Sequence, residues 1–176
     1  RLTQRIVTAF SSLSREGRLY EIDMRLRPSG NAGPLACSVE AFQHYQAEDA
    51  WTWEHMALSR ARVVVGNQSL KSKIEKVAIE VLSRPRDIKE LAYDIVVMRD
   101  RIRKERKNDA IWDIKQRVGG LIDAEFISQY LSLRFPVRMW GDSKPAALSS
   151  RFKTNSAIDE RDIAILETCT IFWSRL

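Results

Sequence analysis

The chain has 176 residues, 44% of them hydrophobic and 30% charged, with a net charge of +6 and a pI near 9.5. That length suits one globular domain, or one and a half small ones, and the apolar share is enough to bury a core. No run approaches the ~18 apolar residues that a membrane-spanning helix needs, and no signal-peptide pattern opens the chain, so a soluble cytoplasmic protein is expected.

Cys37 and Cys169 lie far apart, with no second Cys or His at a metal-ligand spacing, which argues against a disulfide framework or a zinc site. His44 and His55 are the only histidines, and no Ser, Cys or Asp stands out as a triad partner for either. The basic balance favours an anionic partner: a nucleotide, a nucleic acid or an acidic protein surface.

Leu2, Ile6, Ala9, Phe10 and Leu13 recur at helical spacing and predict a first helix over residues 2–13. Residues 19–30 read LYEIDMRLRPSG. Leu19, Glu21, Asp23, Arg25 and Arg27 share one parity while Tyr20, Ile22, Met24 and Leu26 share the other, the alternation of a half-buried strand. The plain account is an antiparallel strand with its polar face in water. The strand would run into a turn-forming loop at Ser29 and Gly30. Ser38 is a candidate cap for a helix carrying Val39, Phe42 and Tyr45, and residues 51–58 predict a second short helix. Residues 60–66, RARVVVG, are β-branched and end at a glycine, and are expected to form a short strand.

Beyond Asn67 the pattern is helical: Ile74, Val77, Ala78, Val81 and Leu82, then Ile88, Leu91, Ala92, Ile95, Met98 and Ile102, recur at three and four. A third helix follows Gly119 and Gly120, residues 135–150 read as a loop, and residues 158–176 carry a fourth helix. The expected fold class is therefore α+β: a mixed α/β piece over residues 1–66 followed by an all-helical bundle over residues 67–176.

Three constellations could carry chemistry. Asp23, Arg25 and Arg27 would place a carboxylate beside two guanidiniums, the combination that holds a divalent metal and a polyphosphate together, although one carboxylate is not enough for two-metal chemistry. Trp51, Trp53, Glu54 and His55, followed by Arg60 and Arg62, could stack a base and contact phosphates, while tryptophans at helical spacing are more often core. Residues 99–107, RDRIRKERK, place Arg99, Arg103, Arg106 and Lys107 away from the apolar stripe of their helix, usually a solvated face. Lys115 with Gly119 and Gly120 ahead of a helix start adds a candidate anion pocket.

Three blocks, LYEIDMRLRPSGNAGPL, AFQHYQAEDAWTWEHMALSRARVVVGN and DIKQRVGGLIDAEFISQYL, in that order and spacing, resemble the glutamate-ammonia-ligase (glutamine synthetase) adenylyltransferase family over residues 1–135. The resemblance implies a large enzyme with two nucleotidyltransferase domains. One transfers AMP from ATP to a tyrosyl hydroxyl of glutamine synthetase, and the other removes it with phosphate. The AWTWEHMAL block looks more like the adenylylating half. The family's Gly-Ser and Asp-x-Asp block is not in this sequence, which opens on Arg1 rather than Met, so a fragment holding the back half of a nucleotidyltransferase core is expected.

On that resemblance Asp23 matches a third carboxylate ligand of Mg²⁺, and Arg25 its catalytic companion. Arg27, Ser29, Gly30, Arg60, Arg62, Lys115, Gly119 and Gly120 are the candidate nucleotide contacts. Glutamine synthetase and a PII-type signal-transduction protein are the implied partners, with no nucleic acid or membrane. The competing readings are the AMP-removing half of the same enzyme and a non-catalytic helical module that docks glutamine synthetase or such a regulator through the basic helix. A nucleic-acid-binding domain would rest on charge alone.

Overall fold

The computed structural model describes residues 1–15, 17–18, 20, 22–105, 113–135, 140, 152 and 158–175. Seven α-helices lie among them: α1 (Leu2–Ser11), α2 (Val39–Glu48), α3 (Thr52–Arg60), α4 (Gln68–Leu82), α5 (Ile88–Glu105), α6 (Leu121–Arg134) and α7 (Glu160–Ser174). The extended structure is a two-stranded antiparallel ribbon, β1 (Leu13–Ser14) and β2 (Gly17–Arg18), in which Leu13 faces Arg18 and Ser14 faces Gly17. The expected α+β class is thus overturned, and the described residues are almost entirely helical. None of their helices is long and apolar enough to cross a membrane.

Both expected strands lack a neighbouring strand among the described residues, and in the first the backbone from residue 23 to residue 30 bonds locally. In the first, the Arg25 N–H donates to the Asp23 carboxylate at 2.9 Å, Arg27 N–H to Met24 O at 3.3 Å and Gly30 N–H to Arg27 O at 2.8 Å. An Asp that binds the backbone two residues on favours a turn over a ladder. Leu19 and Glu21, also in that alternation, lie outside the described residues. In the second, α3 continues through Arg60 and residues 61–66 have no regular structure. Val64 and Val65 are left 78% and 87% exposed, so the β-branched run buries nothing there.

The chain divides into two compact units, Arg1–Ala50 and Trp51–Leu176. The sequence boundary near Asn67 coincides with the N-cap of α4, within the second of them. The first unit holds α1, the ribbon, a loop with a 3-10 turn at Gly30–Ala32, and α2. Ser38 caps α2 as its position suggests, its hydroxyl accepting from Ala41 N–H at 3.1 Å.

In the second unit α3 packs against α4, α5 and α6, and α6 against α5 and α7. Its core takes Val77, Ala78, Val81 and Leu82 from α4, Leu91 and Ile95 from α5, and Met56 and Leu58 from α3. Leu82 and Val81 are fully buried, which stabilises the fold by about 1.5–3 kcal/mol each. A second cluster joins Ala124, Phe152, Ile163 and Leu166. Caps set the helix starts. Asn67 Oδ1 accepts from Leu70 N–H at 2.8 Å, Glu54 Oε2 from Trp51 N–H at 3.0 Å, and Asp159 Oδ1 from Arg161 N–H at 2.8 Å. At the other end of α4, the Arg86 guanidinium donates to Val81 O and Leu82 O and lies 3.3 Å from His55 Nδ1. Burial, and then the nearby charge of Arg84, lowers its pKa from the ordinary value.

Candidate functional site

The loop after β2 gathers five of the residues singled out in the sequence. Asp23 accepts four hydrogen bonds from Arg25: one from its backbone N–H, two from Nε at 3.0 Å and one from Nη2 at 2.7 Å. This side-on grip satisfies both carboxylate oxygens and is stronger than a single-point contact. The side-chain bond to Arg25, followed by the backbone bond, lowers the Asp23 pKa from 3.8 to about 2. The same bond raises that of Arg25. Both side chains stay open to solvent, Asp23 at 51% and Arg25 at 76%. The loop therefore presents a carboxylate that is ionised at neutral pH beside a guanidinium able to exchange one anion for another.

Arg27 has a different job from Arg25. Its Nη1 donates to Met24 O at 2.7 Å, Nη2 to Asn31 O at 3.3 Å and Nε to Gly33 O at 3.3 Å. Three carbonyls of residues 24–33 thus converge on one planar cation, which fixes the loop from within. Ser29 and Gly30 supply the reversal, both with positive φ, at 60° and 51°. Gly33 closes it: a Cβ there would lie 2.0 Å from Pro28 O. Asp23 and Arg25 therefore stand on a backbone held by Arg27 and two tight turns.

The remaining candidates belong to the second unit. Arg60, at the end of α3, pairs with Glu125 of α6 at 2.8 Å, while Arg62 follows in the segment after α3 and is exposed. Lys115 is exposed, in the loop before α6. The N–H groups expected to bind an anion beside it already have acceptors in the chain. Gly119 donates to Asp123 Oδ2 at 2.7 Å, Gly120 to Arg117 O at 2.8 Å, Leu121 to Ile114 O at 3.3 Å and Ile122 to Lys115 O at 3.1 Å. Asp123, at the third position of α6, supplies the negative charge that the helix start attracts.

Arg99 also departs from the sequence reading. Its side chain is 15% exposed rather than solvated, its Nε pairs with Asp123 Oδ1, and its Nη2 donates to Gln116 O at 2.8 Å. Arg101, Arg103 and Lys104 keep the exposure expected of that stretch, and Arg106 and Lys107 lie outside the described residues. The Arg99–Asp123 pair closes one end of a groove of about 550 Å³ between α5 and α6, lined by Ala92, Ile95, Val96, Phe126 and Ile127. Sequence reasoning missed Asp123. Its position three residues after Gly120, at a helix start, is the signal that could have found it.

Residues 1–77 match the family model described as glutamate-ammonia ligase adenylyltransferase. The chain is 50% identical over 145 residues to a protein of Agrobacterium fabrum named bifunctional glutamine synthetase adenylyltransferase/adenylyl-removing enzyme, covering 82% of this chain and 15% of that one. Proteins of the same name from Rhizobium meliloti and Brucella suis are 49% identical over 147 residues and 51% over 133, covering 84% and 76% of this chain and 15% and 14% of theirs. The chain thus spans about one-seventh of the length of these curated relatives.

Proposed function

Because the chain belongs to the glutamate-ammonia ligase adenylyltransferase family, we propose that it forms part of an enzyme that moves AMP from ATP to a tyrosyl hydroxyl of glutamine synthetase. In that transfer the tyrosyl oxygen loses its proton to solvent and bonds to the α-phosphorus of ATP, the bond from that phosphorus to the bridging oxygen breaks, and pyrophosphate leaves. The observation that carries the reading is the exposed Asp23–Arg25 pair on its braced loop. A guanidinium that grips a carboxylate side-on has the donor geometry to grip phosphate oxygens in the same way. Arg25 is therefore the residue assigned to the polyphosphate, and Arg27 the one that positions it.

Mg²⁺ is part of this proposal, with Asp23 as one of its donors. The described residues contain no cluster of three His, Cys, Asp or Glu side chains able to hold a metal, so they do not fit a divalent cation by themselves. Further carboxylates would have to come from elsewhere in the longer protein. What Asp23 contributes is an ionised oxygen pair that remains charged far below neutral pH. Glutamine synthetase as the acceptor is suggested by the names of the relatives, and a PII-type regulator rests on the family resemblance alone.

The relatives' name joins two activities, so the test must separate them. In the full-length protein carrying Asp23→Asn, AMP transfer to glutamine synthetase and phosphate-dependent AMP removal are measured independently. The expected result is a loss of transfer of at least about a hundredfold with removal kept within about twofold. Loss of removal alone would place these residues in the removing half, and no change in either rate would overturn the proposal. Residues 1–176 alone, with Asp23 the single carboxylate assigned to Mg²⁺, should incorporate no AMP.

A further inference from the structure

Asp23 and Arg25 saturate one another. The Arg25 Nε donates to both Asp23 oxygens at 3.0 Å and Nη2 donates to Oδ2 at 2.7 Å, while Oδ1 also takes the Arg25 N–H at 2.9 Å. No other charged group among the described residues pairs with either. Polyphosphate gripped side-on would need the same Nε and Nη2 edge that Asp23 occupies. The carboxylate in turn has no oxygen left for a cation while Arg25 holds both.

The edge of the guanidinium that stays open offers an anion little. The bonded pair carries no net charge, and a phosphate arriving at that edge meets a carboxylate close behind the cation. The pair is also easily opened, because an ion pair 51% and 76% exposed is held only weakly against water. Its backbone need not move. Arg27 and the turns at Ser29, Gly30 and Gly33 hold residues 24–33, so release of Arg25 is the rotation of one side chain.

We infer that the Asp23 carboxylate is an internal competitor of polyphosphate for Arg25, an autoinhibitory contact that an incoming nucleotide displaces. The inference rests on the assignment of Arg25 to the polyphosphate. Its consequence runs against the usual expectation for a site residue. Removing the charge of Asp23 should improve nucleotide binding in the absence of metal, even though the same change should abolish transfer.

Calorimetry of ATP binding in EDTA tests it with four full-length proteins: unsubstituted, Asp23→Asn, Arg25→Gln and the double variant. Asparagine keeps an oxygen for the Arg25 N–H and so preserves the turn. Asp23→Asn should tighten ATP binding about threefold, the scale of an exposed ion pair, and the gain should vanish when residue 25 is Gln. A gain of equal size in both backgrounds would show that the carboxylate merely repels ATP, and would overturn the inference. No gain, or a loss, would show that Arg25 meets phosphate with Asp23 still attached, and would overturn it too. In that case weaker binding by Arg25→Gln would leave Arg25 its phosphate, so the functional proposal would survive the failure. If Arg25→Gln changes nothing in either background, or none of the four proteins binds ATP, both fail together.

Discussion

Removing either member of the Arg99–Asp123 pair should be costly, and removing both should be cheaper than removing one. Arg99→Met leaves the Asp123 carboxylate, 25% exposed, without its cation and Gln116 O without its donor. Asp123→Leu leaves a guanidinium 15% exposed and Gly119 N–H without its acceptor. Breaking a fully buried pair costs about 3–5 kcal/mol, and the residual solvent access here reduces that to about 2–3 kcal/mol for each single substitution. For a chain of this size, such a loss lowers the melting temperature by about 5–10 °C. The double variant puts two apolar side chains at the end of a groove already lined by Ala92, Ile95, Phe126 and Ile127. It loses only the hydrogen bonds to Gln116 O and Gly119 N–H, about 0.5–1.5 kcal/mol each. Urea and thermal unfolding of the four proteins, followed by circular dichroism, give the coupling energy, which should be at least about 1 kcal/mol. Additive single effects below about 0.5 kcal/mol would show that the pair is a surface ornament and refute the reasoning.

Gly120→Ala should lower stability by about 2–3 kcal/mol, because its Cβ would meet Ile114 O at 2.4 Å and Arg117 O at 2.8 Å. Gly66→Ala, whose Cβ meets nothing nearer than Leu70 Cδ2 at 3.7 Å, should be neutral or stabilising by up to about 1 kcal/mol in the same unfolding assay. Arg27→Gln should open residues 24–33 to limited proteolysis, whereas Arg25→Gln should leave proteolysis unchanged and lower AMP transfer by the full-length protein at least about tenfold. The reverse pattern would exchange the roles assigned to the two arginines. Because the folded pKa of Asp23 is depressed, its bond to Arg25 is fully present above pH 3.8 and fades as pH falls through about 2. Carboxyl-carbon NMR should find its midpoint near the lower value, and a midpoint at or above 3.8 would contradict the geometry.

The helical part was legible because its signal is local. Val77, Ala78, Val81 and Leu82 repeat at the period of the helix that buries them, and Ser38 and Asn67 cap where a short polar side chain precedes an apolar run. The family was legible too, from three blocks in order. The strand at residues 19–30 was misread because alternation describes one strand and says nothing of a neighbour. Ile22, Met24 and Leu26 alternate, but with no strand alongside among the described residues, the Asp23 carboxylate turns the backbone back on itself, and Leu26 stays 59% exposed.

The site was half legible for a similar reason. Asp23 and Arg25 do sit together, as a two-residue spacing suggests. Arg27 shares that spacing yet faces three carbonyls, which depend on a turn completed six residues later at Gly33. Arg99 reads as a solvated cation until Asp123, 24 positions on, folds beside it. Contacts of that range leave no periodic trace in the chain.

The most direct test of the central claim exchanges the donor atoms at Asp23. In the full-length protein carrying Asp23→Cys, a thiolate replaces the carboxylate and should favour a softer cation than Mg²⁺. AMP transfer to glutamine synthetase is measured with Mg²⁺ alone and again with Cd²⁺ added. If Asp23 is a donor in the transfer site, the variant should be nearly inactive with Mg²⁺ and recover at least about tenfold with the softer ion, while the unsubstituted protein shows no such gain. Transfer at the unsubstituted rate with Mg²⁺ alone would remove Asp23 from the site.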